Sequence, residues 1–380
     1  MGGRLVLIAA LGAALSYAGL LIHRNRPTAL LVYRLVHGGG PPNGKTFLPP
    51  VVDQLREHGQ LSRLVLVPIS PKMGTTWVGH MVHQLVSHGA EPRRPLRNLI
   101  EDSPYPEFGP VLFGHRLEDG KVPYHLREPF ASHPTGPVTI RTHTTCADLV
   151  KIGMGPEDGY RSLAVLRNPA DTILSFSRFA PTMAGIDYET VPLEHFFNLL
   201  KAFGAISGML EDYVCFWQKR HSPNLHLLLF EDLKANLEAN VREMAEFLRI
   251  PDLTEEELQA VVGQSTHRSM SSDYWVDRFN MVPDSIGRSM RKKFAIPPDT
   301  KVYPDFSKQG GVVRKRGGRV GEGKEALPAD ILRQLNELWA KRVAPRTGLA
   351  TFEDMLKALQ GERAEARQER QRKATAAIGE

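Results

Sequence analysis

The chain of 380 residues has only two cysteines, Cys146 and Cys215. Two cysteines are too few for a disulfide framework or for a zinc site built from several cysteine ligands. A single disulfide between them remains an alternative, but we interpret the pair as two buried thiols. On that interpretation the low cysteine count favours a reducing compartment.

Acidic residues are missing from the start of the chain. No Asp or Glu precedes Asp53, whereas five basic residues do: Arg4, Arg24, Arg26, Arg34 and Lys45. Most of the net charge of +6 is therefore N-terminal, and the rest of the chain is nearly balanced. A balanced chain argues against general nucleic-acid binding, so any phosphate that binds is bound locally.

Long apolar runs are also scarce, and one stands out: residues 5–22, LVLIAALGAALSYAGLLI. It is near the lower length limit for a membrane-spanning helix, and no small-residue cleavage site follows it. We predict that residues 1–26 form a single-pass anchor; the alternative is a buried core helix in a soluble cytoplasmic protein. The basic residues after the run favour a cytosolic main domain, with the Golgi lumen as the alternative side.

Four short apolar runs predict a buried parallel sheet, because dense aliphatic runs occur where both faces of a sheet are covered. They are residues 64–69, 138–140, 163–166 and 225–230. Helical patterns alternate with them, after Thr75 and over residues 193–219, 237–248 and 329–343. The sequence therefore predicts an α/β fold in which helices flank a central parallel sheet. We predict a linker over 27–60, a main domain over 61–358 and a solvated charged tail over 359–380.

Residues 39–46, GGPPNGKT, match the Walker A pattern literally, and an apolar run, residues 29–36, precedes them. A Walker A loop needs a helix that opens at its lysine and threonine, so that backbone amides hold the phosphate. Pro49 and Pro50 fall in the second turn of that helix and disfavour it. A P-loop nucleotide hydrolase is therefore kept as an alternative function only.

A second stretch, residues 68–85 (PISPKMGTTWVGHMVHQL), is a better phosphate site. Its strand ends before a turn that contains Lys72 and Gly74, and Thr75 and Thr76 stand where a helix starts. Free amides, two hydroxyls and one ammonium group then meet at the carboxyl edge of the sheet. This arrangement predicts an anion site, and Trp77 follows it as a candidate for stacking on a base.

The heptad PKMGTTW resembles the PKSGTTW loop of sulfotransferases that use 3′-phosphoadenosine-5′-phosphosulfate (PAPS). Residues 140–143, 166–175 and 230–234 resemble further segments of that family, in the family's order. The resemblance covers roughly residues 63–356. It implies a P-loop-NTPase-like topology with a phosphosulfate-binding strand-loop-helix. It also implies an enzyme that transfers a sulfuryl group from PAPS to a hydroxyl or amine of an acceptor.

The resemblance implies two catalytic residues, His143 as general base and Lys72 beside the leaving phosphate. A histidine suits the first role because imidazole titrates near neutral pH. Arg141 takes the place of the family's usual lysine; it keeps the charge but changes the geometry.

The resemblance also implies a cofactor-binding set, in which Arg167 and Ser175 hold the 3′-phosphate and Phe230 replaces a tyrosine that contacts the adenine. The set is Lys72, Gly74, Thr75, Thr76, Trp77, Arg167, Ser175, Phe230, Ser265, Arg314, Lys315, Arg316 and Gly318. His267 aligns beside Ser265. Which arginine of residues 314–319 contacts the phosphate stays open.

Further departures from the family pattern are Met73 for a serine, Phe230 for a tyrosine and Gly323 for a tryptophan. A catalytically inactive, membrane-tethered nucleotide-binding protein is therefore a second alternative. Methionine offers bulk and no donor, and we expect Met73 to be tolerated because the loop's amides do most of the holding.

The chemistry requires no metal. His80, His83 and His88 have no convergent carboxylate or cysteine, so we interpret them as exposed helix-face histidines. The acceptor, a small molecule, a lipid or a glycan, cannot be read from the sequence. The expected partners are this acceptor and, through residues 5–22, a membrane; a homodimer is compatible with the sequence.

Overall fold

A computed structural model of the chain describes residues 26–37, 44–57, 59–89, 103, 136–183, 186–272, 274–275 and 318–378. The predicted anchor, residues 5–22, lies outside these ranges, and so do Arg314, Lys315 and Arg316. Within the described ranges no helix is both long and apolar enough to cross a membrane.

The described strands form one parallel sheet. They are β1 Leu64–Pro68, β2 Val138–Thr142, β3 Arg161–Leu166 and β4 Leu225–Leu229. The order across the sheet is β2-β1-β3-β4, and every neighbouring pair is parallel. The four strand predictions and the α/β class are therefore confirmed. The strand that follows β1 in the chain, β2, lies on one side of β1, and the next strand, β3, lies on its other side. Open α/β sheets bind ligands in the crevice at such a switch point.

Helices cover and connect these strands. In chain order the α-helices of the described residues are α1 Arg26–His37, α2 Gly44–Glu57, α3 Thr75–Val86, α4 Cys146–Lys151, α5 Pro169–Met183, α6 Leu193–Ala202, α7 Ala205–Lys219, α8 Phe230–Ala235, α9 Leu237–Leu248, α10 Glu255–Gln264, α11 His267–Met270, α12 Glu322–Ala326, α13 Ala329–Arg342, α14 Ala344–Thr347 and α15 Phe352–Ile378. The single helix predicted over 193–219 is two helices, because Gly204 turns the chain between them with a φ of 75°.

The side chains of β1 are shared between two hydrophobic clusters. Val65 and Val67 belong to the larger cluster, and Leu64 and Leu66 to the smaller one. Because successive side chains of a strand point to opposite faces, the two clusters cover the two faces of the sheet. Burial on both faces is what the dense apolar runs predict.

Helix α2 forms although it contains Pro49 and Pro50, so the expectation that these prolines disfavour a helix here does not decide the outcome. Four apolar side chains of the helix are buried at helical spacing: Leu48, Val51, Val52 and Leu55. Their burial contributes roughly 6–12 kcal/mol, more than the roughly 3 kcal/mol that each interior proline costs.

The Walker A interpretation fails because of the element that precedes residues 39–46. The apolar run over 29–36 lies in helix α1 and is not a strand, so the strand-loop-helix order that the motif needs is missing here. Helices α1 and α2 also occupy most of the predicted linker over 27–60. Helix α1 packs on the main domain, where Leu31 is buried in the larger cluster and Thr28 Oγ1 lies 3.4 Å from Nδ1 of His195 in α6.

Cys146 and Cys215 form a disulfide, so our interpretation of them as two buried thiols is wrong. The bond joins the first residue of α4 to α7 across a sequence separation of 69 residues. Two residues 69 positions apart in the chain can be near or far in space, so the sequence alone could not decide between a disulfide and two free thiols. A bonded pair of cysteines does not favour a reducing compartment.

The C-terminal helix α15 is packed along its first half, although the sequence predicts a solvated tail over 359–380. Arg363 is nearly buried and donates to Asp232 of α8 at 3.1 Å and to Asn240 of α9 at 2.6 Å. Arg367 donates to Glu243 of α9 at 2.7 Å. Buried carboxylates on two other helices therefore bind Arg363 and Arg367 of this segment.

Candidate functional site

The loop over residues 69–74 connects β1 to α3 at the carboxyl edge of the sheet. Two of its residues have positive φ angles, Lys72 at 67° and Gly74 at 124°. A side chain at Gly74 would be strained by that angle, and its Cβ would lie 3.3 Å from the Phe230 ring. The predicted strand-loop-helix is confirmed, and the loop brings the first amides of α3 beside Lys72.

The first turn of α3 can bind an anion. Thr75 is buried, and its Oγ1 has no hydrogen-bond partner within the described part of the chain. Thr76, the next residue, is partly buried. The free amides at a helix N-terminus and the positive end of the helix dipole favour a negative group at this point.

Lys72 lies against helix α5, with its Nζ 4.0 Å from the ring centroid of Phe179. This cation–π contact holds the ammonium group near the loop. Met73, the next residue, is fully buried in the larger hydrophobic cluster. The packing explains why an apolar side chain occupies a position where the related loop has serine.

His143 follows the end of β2, and its imidazole is bound to the loop that carries Lys72. The Nδ1 atom lies 2.6 Å from the carbonyl oxygen of Ile69. A carbonyl only accepts, so Nδ1 carries the proton and Nε2 keeps its lone pair. Burial lowers the pKa of His143 to about 4, with the Ile69 bond opposing it and the charges of Arg141 and Lys72 adding to it. The ring is neutral at pH 7.

Arg141, which stands where the family that the sequence resembles has lysine, is buried on β2. Its Nε donates to the carbonyl oxygen of Ser103 at 2.7 Å. This side chain therefore fixes the backbone at Ser103, in addition to the charge that it places near His143.

Arg167 follows β3 and links two parts of the site. Its Nη1 donates to the Lys72 carbonyl oxygen at 3.1 Å, and its guanidinium lies 4.2 Å from the Phe230 ring centroid. Its buried Nε has no partner among the described residues. Burial lowers the pKa of Arg167, while carboxylates led by Asp171 and Glu231 raise it. Arg167 therefore brings positive charge to the switch point between β1 and β3.

Two aromatic rings converge beside this charge. Trp77 of α3 meets the Phe230 ring edge-on, with centroids 5.2 Å apart. The Trp77 Nε1 atom donates to the Ser265 carbonyl oxygen at 2.8 Å. Ser265 is fully buried, and its hydroxyl has no partner among the described residues. The structure thus brings three residues of the predicted cofactor set together from three separate segments.

Helix α5 begins as the sequence predicts. Asn168 caps it by accepting from the Ala170 amide at 2.9 Å, and Pro169 is its first residue. Ser175 lies farther along the helix and is partly exposed. His267 opens α11 and is exposed. The carbonyl oxygen of Gly318 accepts from Lys234 Nζ at 2.7 Å.

Asp171 is a residue of this site to which the sequence assigned no role. Its buried carboxylate accepts the Gly321 amide at 2.9 Å and the Gly323 amide at 2.6 Å. A Cβ at Gly323 would lie 2.2 Å from the carbonyl carbon of Ala170, so only glycine fits. The segment that follows the predicted basic loop therefore docks on the start of α5. The sequence signals for this contact were an Asp in the first turn of α5 and the Gly-x-Gly at residues 321–323.

Two of the three helix-face histidines are buried, contrary to the prediction that they are exposed. His80 packs edge-on against Trp275 and bonds to the Gln264 carbonyl oxygen at 3.1 Å, and His83 is buried beside it. Burial lowers the pKa of His80 to about 3. Within the described ranges no three His, Cys, Asp or Glu residues cluster as a metal site would require.

Comparison with known proteins gives a consistent match. The family model for the sulfotransferase domain matches residues 64–295, more than half of the chain. The chain is 27% identical to sulfotransferase 6B1 of Danio rerio over 303 residues, which cover 78% of this chain and 83% of that protein. It is 32% identical to sulfotransferase 6B1 of Homo sapiens over 202 residues. That match covers 53% of this chain and 59% of the human protein, less than two thirds of its length.

One solved structure has the same fold. It is the crystal structure of retinol dehydratase in a complex with retinol and PAP, with a TM-score of 0.50 and 16% sequence identity. The match covers 74% of this chain and 81% of the other.

Proposed function

Because this chain belongs to the sulfotransferase domain family and is a PAPS-dependent sulfotransferase, we propose that His143 and Lys72 carry its sulfuryl transfer. The observation that carries the proposal is the hydrogen bond from His143 Nδ1 to Ile69, 2.6 Å long. That bond ties the candidate base to the loop that presents Lys72. The acceptor in this proposal is a hydroxyl or an amine.

The described residues fit a nucleotide with two separate phosphate groups. Three buried polar atoms of the predicted set have no protein partner in the described ranges: Thr75 Oγ1, Arg167 Nε and Ser265 Oγ. Native proteins seldom leave such atoms unpaired, so they are suited to ligand oxygens and nitrogens. PAPS supplies the activated sulfuryl group when it is bound here.

Each part of the cofactor has candidate residues. Lys72, Thr75 and Thr76 would hold the 5′-phosphosulfate together with the first amides of α3. Arg167 and Ser175 would hold the 3′-phosphate, with Arg314, Lys315, Arg316 and Gly318 closing over it. Trp77, Phe230 and Ser265 would line the adenine pocket. Arginine suits the 3′-phosphate because its planar group makes paired hydrogen bonds to phosphate oxygens.

His143 acts at its Nε2 atom in this proposal. The Ile69 carbonyl oxygen holds the proton on Nδ1, so Nε2 is the atom that accepts the proton of the acceptor hydroxyl in this proposal. The pKa of His143, about 4, keeps that lone pair available at neutral pH. As the imidazolium forms, the same Ile69 oxygen stabilises it.

Lys72 stabilises the charge that grows on the leaving phosphate. Its ammonium group lies over the Phe179 ring, a contact that limits its movement without neutralising it. A positive charge already in place costs no reorganisation during the reaction, which is why such groups contribute strongly to catalysis.

We also propose that the acceptor is a small molecule and that residues 5–22 anchor the chain to a membrane. Support for the acceptor class comes from retinol in the related crystal structure and from similarity to an amine sulfotransferase of Oryctolagus cuniculus. Support for the anchor is the uncharged length of residues 5–22 and the basic residues on both sides. A full-length chain that stays in the soluble fraction after cell lysis would contradict the anchor.

Thermal denaturation of the full-length chain in detergent tests the cofactor site. We expect 3′-phosphoadenosine 5′-phosphate (PAP) to raise the melting temperature, and ADP, which lacks the 3′-phosphate, to raise it much less. Lys72→Ala should reduce the PAP shift and Lys45→Ala should leave it unchanged. An unchanged melting temperature with PAP, or a loss of the shift in Lys45→Ala alone, contradicts the assignment. A PAP shift without any sulfuryl transfer would instead favour the inactive nucleotide-binding protein.

A further inference from the structure

Asp212 of helix α7 is a buried carboxylate that joins the two loops on which His143 and Lys72 stand. Only 2% of its surface is exposed. Its Oδ2 accepts the hydroxyl of Ser70 at 2.5 Å, and its Oδ1 accepts the amide of Cys146 at 2.8 Å. Each oxygen therefore binds one of the two loops.

The two bonds lie close to the proposed catalytic residues. Ser70 is two residues before Lys72, and Cys146 is three residues after His143. The Ile69 amide also donates to the Thr142 carbonyl oxygen at 3.0 Å, which continues the pairing of β1 with β2. Beyond that bond the two loops leave the sheet. Asp212 then bridges them from a third element.

The disulfide makes one side of this bridge rigid. Cys215 lies one turn after Asp212 on α7 and is bonded to Cys146. Helix α7 therefore holds residue 146 twice, through the Cys146 amide and through its sulfur. With that side covalently fixed, the Ser70 hydrogen bond is the direct link from Asp212 to the Lys72 loop.

The burial of Asp212 is unfavourable for a charged group. Burial raises the pKa of Asp212 to about 7, although the Ser70 and Cys146 donors favour the carboxylate and oppose the rise. An apolar side chain at this place would avoid the desolvation cost. A bridge that costs desolvation is better explained by the position it enforces than by the stability it adds.

From these contacts we propose that Asp212 is a positioning residue for sulfuryl transfer. By bridging Ser70 and Cys146 it holds Lys72 and His143 at the spacing that in-line transfer requires. The inference rests on the roles proposed for Lys72 and His143.

Alanine and asparagine variants of Asp212 distinguish the positioning of the two loops from the negative charge of the carboxylate. Asp212→Ala removes both acceptors and should lower kcat by roughly 10- to 100-fold, with the PAP dissociation constant changed less than threefold. In Asp212→Asn the amide oxygen still accepts from Cys146. Its NH₂ group can donate to the Ser70 hydroxyl, because a hydroxyl both donates and accepts. This variant should keep kcat within about threefold of the wild type if the bridge is what matters.

Two further variants test whether a loss of stability alone lowers kcat and whether Asp212 acts through Ser70. Met209→Ala, a buried residue one turn before Asp212 on α7, should lower the melting temperature and leave kcat unchanged. Ser70→Ala should lower kcat in the same direction as Asp212→Ala. The double variant should be no slower than Asp212→Ala alone, because both remove one coupled contact.

Steady-state sulfuryl transfer by the full-length chain in detergent distinguishes the outcomes. Normal kcat in Asp212→Ala, or an equal loss in Met209→Ala, overturns the positioning role. If Asp212→Asn loses as much kcat as Asp212→Ala, the charge and not the position is needed, and the proposal is wrong. If Asp212→Ala does not fold, a normal kcat in Ser70→Ala overturns it. Absence of transfer in the wild type contradicts the proposed function instead.

Discussion

His143 Nδ1 donates a hydrogen bond to the carbonyl oxygen of Ile69 across 2.6 Å. His143 follows the last residue of β2 and Ile69 follows the last residue of β1, so this bond joins the candidate base to the candidate phosphate loop. It also fixes which nitrogen carries the proton, and this makes Nε2 the atom that accepts a proton in our proposal.

The first prediction concerns the protonation of His143. Because burial lowers its pKa to about 4, the ring should be neutral from pH 5 to pH 8 and gain a proton only as the pH falls through about 4. Nitrogen-15 NMR of histidine-labelled protein should show the tautomer with the proton on Nδ1. His143→Gln assigns the resonance. A midpoint near the ordinary value of 6.5, or a proton on Nε2, would contradict the geometry.

The second prediction concerns Met73. Because its side chain is fully buried, Met73→Ser should cost about 2–4 kcal/mol of unfolding free energy. The loop amides remain, so the PAP dissociation constant should change less than tenfold. Met81→Ser is the matched control, since Met81 is a buried methionine of the same cluster. Calorimetry that finds a tenfold or larger change in PAP affinity for Met73→Ser, absent in Met81→Ser, would show that the side chain acts on the cofactor.

A third prediction follows from the close approach of Gly323 to Ala170. Gly323→Ala puts a Cβ 2.2 Å from a backbone carbon, so the segment should lose its contact with Asp171. We expect a lower melting temperature and at least tenfold weaker PAP binding. Gly361→Ala is the control, because its Cβ meets open space inside helix α15 and should stabilise by about 0.5–1 kcal/mol. Equal behaviour of the two variants would mean that the docking on α5 is absent.

The fourth prediction concerns the disulfide between Cys146 and Cys215. Cys215→Ser should lower the unfolding free energy by about 2–5 kcal/mol, since a cross-link over 69 residues restricts the unfolded chain. Urea denaturation with and without dithiothreitol measures this. The reductant should bring the wild type down towards the variant and leave the variant unchanged. If prolonged reduction under denaturing conditions does not change the unfolding free energy of the wild type, the two sulfurs are not bonded.

The fifth prediction concerns Arg363. Arg363→Met leaves Asp232 and Glu243 buried without this partner and should cost about 3–5 kcal/mol. Lys373→Met removes an exposed pair with Glu369 and should cost less than about 1 kcal/mol. Urea denaturation of both variants tests whether the start of α15 is packed. Equal, small losses of unfolding free energy in the two variants would mean that Arg363 is exposed to solvent.

The sequence was most informative where local pattern and burial agree. The apolar runs located β1 to β4, and the PKMGTTW loop lies between β1 and α3 as predicted. Asn168 caps α5 as its residue type suggests. These features depend on neighbours in the chain, which a sequence displays directly.

Features that depend on distant residues were missed or misread. The disulfide and the Arg363–Asp232 pair connect positions 69 and 131 residues apart, and no local pattern encodes either contact. The helix propensity of Pro49 and Pro50 disfavours helix α2, but burial of its apolar side chains stabilises it by more. Asp171 had a visible neighbour at Asn168, but its partners lie about 150 residues away.

Transfer of radioactive sulfur tests the central claim most directly. The full-length wild type and His143→Ala, in detergent, are incubated with ³⁵S-labelled PAPS and a panel of small hydroxyl and amine acceptors. We predict that the wild type labels at least one acceptor. His143→Ala should be slower by roughly 10²- to 10⁴-fold and should keep the PAP-induced rise in melting temperature. Equal labelling by both proteins, or loss of the PAP shift together with activity, would contradict the assignment of His143 as the base.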